Sequence, residues 1–213
     1  MSALIEAAQP KCEEDAVASQ APIRLLVVDD HPAMRRGLVE LLDDQPDFRV
    51  SGVACTAGEA MAAAGAQRFD VAVVDYHLTD RNGLWLSRRL NRLTQPPSVV
   101  IYSAEADGML AAAAVAAKAH GLVRKTDDES RLCDAVRVVA GGGLVLPILP
   151  WQVSEVVRRR LDSEEQAIYG MLLAGFPVAE IGPMLGVSSA EVESYLDAML
   201  RKLEPVGPWD CHP

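Results

Sequence analysis

Ile23-Arg24-Leu25-Leu26-Val27-Val28-Asp29-Asp30-His31-Pro32 is the stretch that decides how this chain is read. A short run, apolar and β-branched but for Arg24, ends abruptly on two carboxylates. A run of that length bounded by a turn signal reads as a strand buried on both faces. Similar runs recur at 48–54, 71–74, 98–102 and 122–123, and stretches of helical length lie between them at 33–42, 57–64, 84–93, 109–119 and 130–140. Apolar strands alternating with helices predict a five-stranded parallel sheet covered on both faces, a doubly wound α/β domain.

The organisation follows from where this alternation starts and stops. Residues 1–22, rich in Ala, Gln, Ser and acids, have no period and are expected to be a disordered tail. The α/β domain is placed at 23–142. Gly141-Gly142-Gly143 breaks its last helix, and Pro147 and Pro150 keep 143–160 a linker, with 151–160 as a short connecting helix. A small all-α module is expected at 161–204, from helices at 163–174, 178–185 and 189–203 separated by Gly175-Phe176-Pro177 and Gly186-Val187-Ser188. Residues 205–213 form a second tail.

Polar groups stand where the strands end: Asp29 and Asp30 after the first, Asp75 after the third, Ser103 after the fourth and Lys125 after the fifth. In a doubly wound sheet the carboxyl ends of the strands line the ligand crevice. Three carboxylates converging there repel one another unless a cation sits among them, and an oxygen-rich site suits Mg2+. One carboxylate then serves as a nucleophile toward a phosphoryl donor. A lysine and a hydroxyl neutralise and hydrogen-bond the transferred oxygens. Taken singly, each Asp is more simply a turn former or a cap, and Asp30 is placed to cap a helix beginning near Pro32. Five such residues in one domain point to phosphoryl transfer onto a carboxylate.

These residues carry a resemblance. Val27-Val28-Asp29-Asp30-His31-Pro32, the run Asp75-Tyr76-His77-Leu78-Thr79-Asp80-Arg81-Asn82-Gly83-Leu84, Ser103-Ala104, and Gly121 through Lys125 resemble the receiver domain of bacterial two-component response regulators. The match spans some 120 residues in order, with eight residues from Asp75 to Gly83 and 22 from Ser103 to Lys125. The resemblance implies a flavodoxin-like fold with Asp75 as phosphoacceptor. It implies Asp29, Asp30, Asp75 and the His77 backbone carbonyl as Mg2+ ligands, and Ser103 as the switch hydroxyl. Ala104 is the small neighbour that gives the phosphoryl group access, and Lys125 pairs with the phosphate. A sensor histidine kinase as donor and a homodimer on phosphorylation are implied likewise. The chain departs from the pattern at Leu78-Thr79, usually Met-Pro, at Leu122, usually Tyr or Phe, and at Thr126, usually proline. Leu122 cannot make the solvent-to-burial swing of that aromatic, so the readout of phosphorylation is expected to be weaker or differently routed. His31 reads as a surface neighbour of the acids, His77 as a backbone contributor, and His120 has no ligand partner at suitable spacing.

The second module resembles the LuxR-type helix-turn-helix of NarL/FixJ regulators, through Leu161, Gly175, Ile181, Leu185-Gly186-Val187-Ser188, Val192, Leu200 and Lys202-Leu203. Its recognition helix would carry Ser189, Glu191, Val192, Glu193, Ser194, Tyr195 and Asp197, where the family usually shows Thr-Val-Lys and then His. From 161 to 204 there are two basic residues, Arg201 and Lys202, against eight acidic ones. A helix entering the major groove approaches a dense array of phosphates and normally brings basic side chains. Glu191, Glu193 and Asp197 argue against conventional DNA binding. Three readings stand: a solvated acidic face, a module that docks on protein, or phosphate contacts supplied by Arg158-Arg159-Arg160 or by a partner subunit.

Charge and composition narrow the classes further. The net charge is −10, with 151–213 the most acidic segment at five basic against ten acidic residues. The four cysteines are scattered without metal-ligand spacing, which points to a reducing compartment. The amino terminus lacks the pattern of a signal peptide, and no apolar run approaches the ~20 residues of a membrane span, so a cytoplasmic protein without a membrane partner is expected. A nucleotide-binding enzyme fails, since no glycine-rich phosphate loop follows a strand. The expected class is a phosphorylation-controlled transcription regulator, not an enzyme. The alternative is a regulator whose helix-turn-helix acts on protein instead of DNA.

Overall fold

The computed structural model describes residues 21–204, so both expected tails lie outside the described residues except for Ala21 and Pro22. The strands are β1 (Ile23–Val28), β2 (Phe48–Ala54), β3 (Val71–Asp75), β4 (Ser98–Ser103) and β5 (Gly121–Arg124). They alternate with α1 (Pro32–Asp43), α2 (Ala57–Ala66), α3 (Gly83–Leu90), α4 (Gly108–Ala116) and α5 (Glu129–Ala140). The sheet is wholly parallel in the order β2-β1-β3-β4-β5. After β2 the chain returns to lay β3 on the other side of β1, so the topological switch lies between β1 and β3. Ligands bind at such a switch point.

The central strands β1, β3 and β4 are almost wholly apolar because their two sides feed two separate cores, alternating at the period of a strand, whereas the edge strand β2 exposes Arg49, Ser51 and Val53. Leu25, Val27, Val71, Val73, Val100, Tyr102 and Val123 meet α1 and α5 through Leu38, Leu42, Leu132, Val136 and Val139. Leu26, Val28, Ala72, Val74, Val99, Ile101 and Leu122 face the other way, toward α2, α3 and α4.

Beyond α5, Val145 pairs with Gly121 at the free edge of β5, and the chain enters α6 (Trp151–Arg160). Three helices follow: α7 (Ser163–Leu173), α8 (Val178–Leu185) and α9 (Ser189–Leu203). Gly186, at φ +71°, ends α8 in the left-handed conformation that glycine adopts without strain. Capping boxes start α7 and α9, pairing Asp162 with Glu165 and Ser188 with Glu191. The helical module has no separate core. Ile168, Tyr169, Ile181, Val192, Leu196, Met199 and Leu203 join Leu110–Ala117 and the β1–β3–β4 side in one continuous cluster.

His120 anchors the far end of α4. Its Nδ1 accepts from the Val99 N–H at 3.1 Å, and burial, with Lys118 nearby, pushes its pKa below the ordinary value. The unfolded chain takes up a proton near pH ~6.5 that the folded ring resists, so stability is full above that pH and falls below it. The unfolding free energy from urea titration should drop between pH 7.5 and 5.5, by up to about 1.4 kcal/mol per pH unit below the unfolded value. His120→Asn should flatten that drop; parallel curves for the two proteins would exclude His120 as its source.

Candidate functional site

Asp29 follows β1 and Asp75 ends β3, and these neighbouring strands bring both carboxylates to one edge. Both are buried, at 0% and 4% exposure. Lys125, the residue after β5, reaches across to them: its Nζ lies 2.9 Å from Asp29 Oδ2 and 2.9 Å from Asp75 Oδ2. Burial acts to lower the lysine pKa, but the two carboxylates overcome it and the net direction is upward. Burial pushes the Asp75 carboxyl above its ordinary range, only partly offset by Lys125, and Asp29 adds to the rise. A carboxylate held ionised against its surroundings, with one ammonium at its edge, is a group poised to react.

The remaining geometry holds the acids in place. Asp29 Oδ1 accepts from the His31 N–H at 2.8 Å, and Arg35 Nη1 donates to the Asp29 carbonyl at 2.7 Å. Asp30 does not cap α1; His31 occupies the cap position and makes no side-chain cap bond. Asp30 Oδ1 is buried and takes no hydrogen bond, while the exposed His31 ring stands 2.7 Å from it, an ion-pair partner only when protonated. Asp29, Asp30, His31 and Asp75 each offer one ligand atom, all within 4.8 Å of one another. A buried carboxylate oxygen without a donor, among further carboxylates, fits a hard cation such as Mg2+.

Ser103 and Ala104 lie at the end of β4, Ser103 buried and Ala104 exposed. The Ser103 hydroxyl is engaged with the main chain of Glu105, donating to its carbonyl at 3.0 Å and accepting from its N–H at 3.1 Å. Leu122, on β5, is buried in the core beneath α4. The His77 N–H points to Asp75 Oδ1 at a long 3.4 Å, and its ring packs edge-on to Tyr76.

Three residues were given no supporting role by the sequence reading. Arg35 braces Asp29 from α1. Asp80 accepts from Ala57 N–H at 2.9 Å and Gly58 N–H at 3.0 Å, tying the loop after Asp75 to the start of α2. Gly83 opens α3 against the backbone of Asp75 itself; a Cβ there would stand 2.5 Å from the Asp75 carbonyl oxygen.

The acids expected on a recognition face part company in α9. Glu191 is a helix cap: its Oε2 accepts from the Ser188 N–H at 2.8 Å. Glu193 and Asp197 face the α/β domain. Arg88, on α3 and 3% exposed, places Nη2 at 2.7 Å from Glu193 Oε2 and 2.8 Å from Asp197 Oδ1. Arg92 pairs with the same two acids. Burial acts to raise the Asp197 pKa, but the two guanidinium groups hold it below the usual carboxylate range. The reading of a solvated face without partners is therefore corrected: the cations on α3 and just beyond it are its partners. Ser189, Val192, Ser194 and Tyr195 lie on the same helix, with Val192 in the core. Arg158 and Arg159 pair with Glu155, and Arg160 Nη1 donates to the Lys202 carbonyl, so the basic run before α7 is largely engaged.

Residues 25–137 match the family model of the response regulator receiver domain. The chain is 31% identical over 192 residues to the DNA-binding transcriptional activator DevR/DosR of Mycobacterium tuberculosis, covering 85% of this chain and 88% of that one. It is 29% identical to the transcriptional regulatory protein UhpA of Salmonella typhimurium, over 85% and 91% of the two chains. Among solved structures, it resembles a LuxR-family two-component response regulator from Aurantimonas (TM-score 0.57, 26% identity, 67% of this chain and 100% of that one). It also shares the fold of RcsB from Salmonella enterica serovar Typhimurium bound to a promoter with the phosphomimetic BeF3− (TM-score 0.57, 19% identity, 87% and 94%). Among the described residues, no helix is long and apolar enough to cross a membrane.

Proposed function

This chain belongs to the response regulator receiver family, in the NarL and LuxR line of transcriptional regulators, and from that premise we propose that Asp75 is the residue that accepts the phosphoryl group. The observation that carries the reading is the pair of buried carboxylates Asp29 and Asp75 bridged by the half-buried Lys125 at the switch point of the sheet. A sensor histidine kinase supplies the phosphoryl group in the cytoplasm. An Asp75 carboxylate oxygen attacks phosphorus, the P–N bond to the donor histidine breaks, and its electron pair returns to the imidazole nitrogen, which takes up a proton. Asp29, Asp30, Asp75 and the His77 carbonyl would hold Mg2+, which when bound offsets the charge of carboxylates and phosphoryl oxygens. Lys125 then turns from Asp75 Oδ2 to a phosphoryl oxygen. Ser103 leaves the Glu105 main chain to donate its hydroxyl to another, and the exposed, small Ala104 leaves the approach open. Ser103 ends β4 where the loop into α4 begins, so its movement passes directly to that helix, and the phosphorylated form assembles as a homodimer.

Acid-labile phosphate introduced by a small-molecule donor with Mg2+ should map to Asp75 and be absent from Asp75→Ala. Incorporation that persists in that variant would sink the reading.

A second reading concerns the output. Glu193 and Asp197, on the helix that would enter DNA, are already paired with Arg88 and Arg92. We favour a regulator whose helix-turn-helix acts on a protein partner, DNA contact being weak or unconventional. On mixed genomic DNA at low salt the chain should elute early. Firm retention that falls steeply as salt rises, the mark of phosphate contacts, would overturn this second reading and leave the first intact.

A further inference from the structure

We infer that the ring of Tyr102 is the platform that holds the Lys125 ammonium at the phosphoryl site, a positioning residue that acts on the transfer only through the lysine. The kinetic part of the inference rests on the reading of Asp75 as acceptor; the contact itself does not.

The strand register puts the ring there. In the order β1-β3-β4-β5, Lys125 starts beyond β5, and its Nζ reaches Asp75 on β3 and Asp29 past β1, so its side chain must cross β4. At that level β4 presents Tyr102, whose Cα partners are Asp75 on one side and Val123 on the other. Paired residues of neighbouring strands leave the sheet on the same face, as do residues two apart in one strand. Tyr102 therefore shares its face with Asp75, the acceptor, and with Val123, two residues before Lys125. The Lys125 N–H donates to the Ser103 carbonyl at 2.8 Å, which fixes where the lysine side chain begins. Its Nζ then stands over the Tyr102 ring, 5.8 Å from the centroid.

A cation within about 6 Å of an aromatic centroid is attracted by the ring quadrupole, and more so where water is scarce. Water is scarce here: the Lys125 side chain is 12% exposed and Tyr102 7%. Nor can the ring follow the lysine, because it is packed in the core that includes Leu132, Cys133 and Val136 of α5. The two carboxylates hold the ammonium by charge, and phosphoryl transfer requires that it exchange one of them for a phosphoryl oxygen. A fixed, uncharged ring beneath it keeps the ammonium at this level of the site through the exchange. Without that face, a flexible four-carbon stem carries its charge away from the reacting oxygens, and misplaced charge lowers rate.

The test uses the full chain, in two arms. The first needs no phosphate: the chain has four lysines, so lysine-selective 13C labelling gives few ε-methylene signals, and Lys125→Arg assigns the one at 125. That signal should lie upfield of the ordinary lysine position through the ring current, stay upfield in Tyr102→Phe and return to the ordinary position in Tyr102→Leu. The second arm follows initial rates of incorporation from acetyl phosphate with Mg2+. Tyr102→Leu should lower the rate at saturating donor about tenfold, with the half-saturating donor concentration moved less than about twofold, because the ring does not touch the donor. Tyr102→Phe, which keeps the ring, should restore the rate to within about twofold. In a Lys125→Ala background, Tyr102→Leu should cost less than about twofold more. A lysine signal at the ordinary position in the wild-type chain would overturn the inference, and that measurement stands even where Tyr102→Leu unfolds or Lys125→Ala is inert. So would a further tenfold loss in the absence of Lys125, the mark of a residue that only fills the core, or a Tyr102→Phe as slow as Tyr102→Leu. Failure of the wild-type chain to take phosphate at Asp75 would count against the proposed function and leave the first arm to decide the contact.

Discussion

Asp75→Ala should take up no phosphoryl group from a small-molecule donor, while Asp75→Asn, which keeps the shape of the side chain, should be equally inert. The expected loss is complete because no other carboxylate stands in the same place. Asp29 is held by the His31 N–H and Lys125, and Asp30 lies beside His31. The stability of these variants separates chemistry from folding. A carboxyl whose folded pKa lies above its unfolded value gives the fold a stability that is fully present below the unfolded value, near pH ~3.9, and is lost as pH rises through the folded value. Asp75 is shifted in that direction by burial. At pH 7 its charge therefore works against the fold, and replacing it should leave the urea midpoint unchanged or higher. A variant that lost phosphorylation and also unfolded early would mean that Asp75 is a structural residue and that the assignment is wrong.

The sheet and its helices were legible because each element carries its own period. Strands buried on both faces read as unbroken apolar runs, and every expected strand and helix lies within a few residues of its place in the structure. The strand-end residues were legible for a related reason: one polar group after an apolar run is most simply a turn former or a cap, but five of them in one parallel sheet stand at the same edge. What could not be read was any pairing across long distance. Arg88 looks like an ordinary surface cation of α3, and only the packing of α9 on the receiver buries it. Glu191 could have been found, since Ser188-Ser189-Ala190-Glu191 has the spacing of a capping box, and counting it with Glu193 and Asp197 merged two different roles. Alanine-rich α4 reads locally only as a helix favoured by propensity. The surface it packs on belongs to its own chain, which no local pattern announces.

Gly83→Ala should damage both stability and phosphoryl transfer, although residue 83 carries no functional group. Gly83 N–H donates to the Tyr76 carbonyl at 2.8 Å, folding the loop after Asp75 back so that α3 begins against the acceptor's own peptide. A Cβ at 83 would lie 2.5 Å from the Asp75 carbonyl oxygen and 3.1 Å from the Tyr76 Cα. Those atoms are backbone of the last residue of the central strand β3 and of the residue after it, so neither can swing aside as a side-chain tip would. The helix must retreat or the end of β3 must shift. Forcing a methyl into a packed site costs about 1–3 kcal/mol, readable as a lower urea midpoint. A shift of β3 also moves the Asp75 carboxylate relative to Lys125, and misplacement by an ångström lowers such rates by about 10²-fold. The initial rate of phosphate incorporation should fall accordingly, with Asp75 still the only site labelled. Wild-type midpoint and rate together would show that the loop gives way freely, and that the eight-residue step from Asp75 to Gly83 sets the turn alone and not the position of the acceptor.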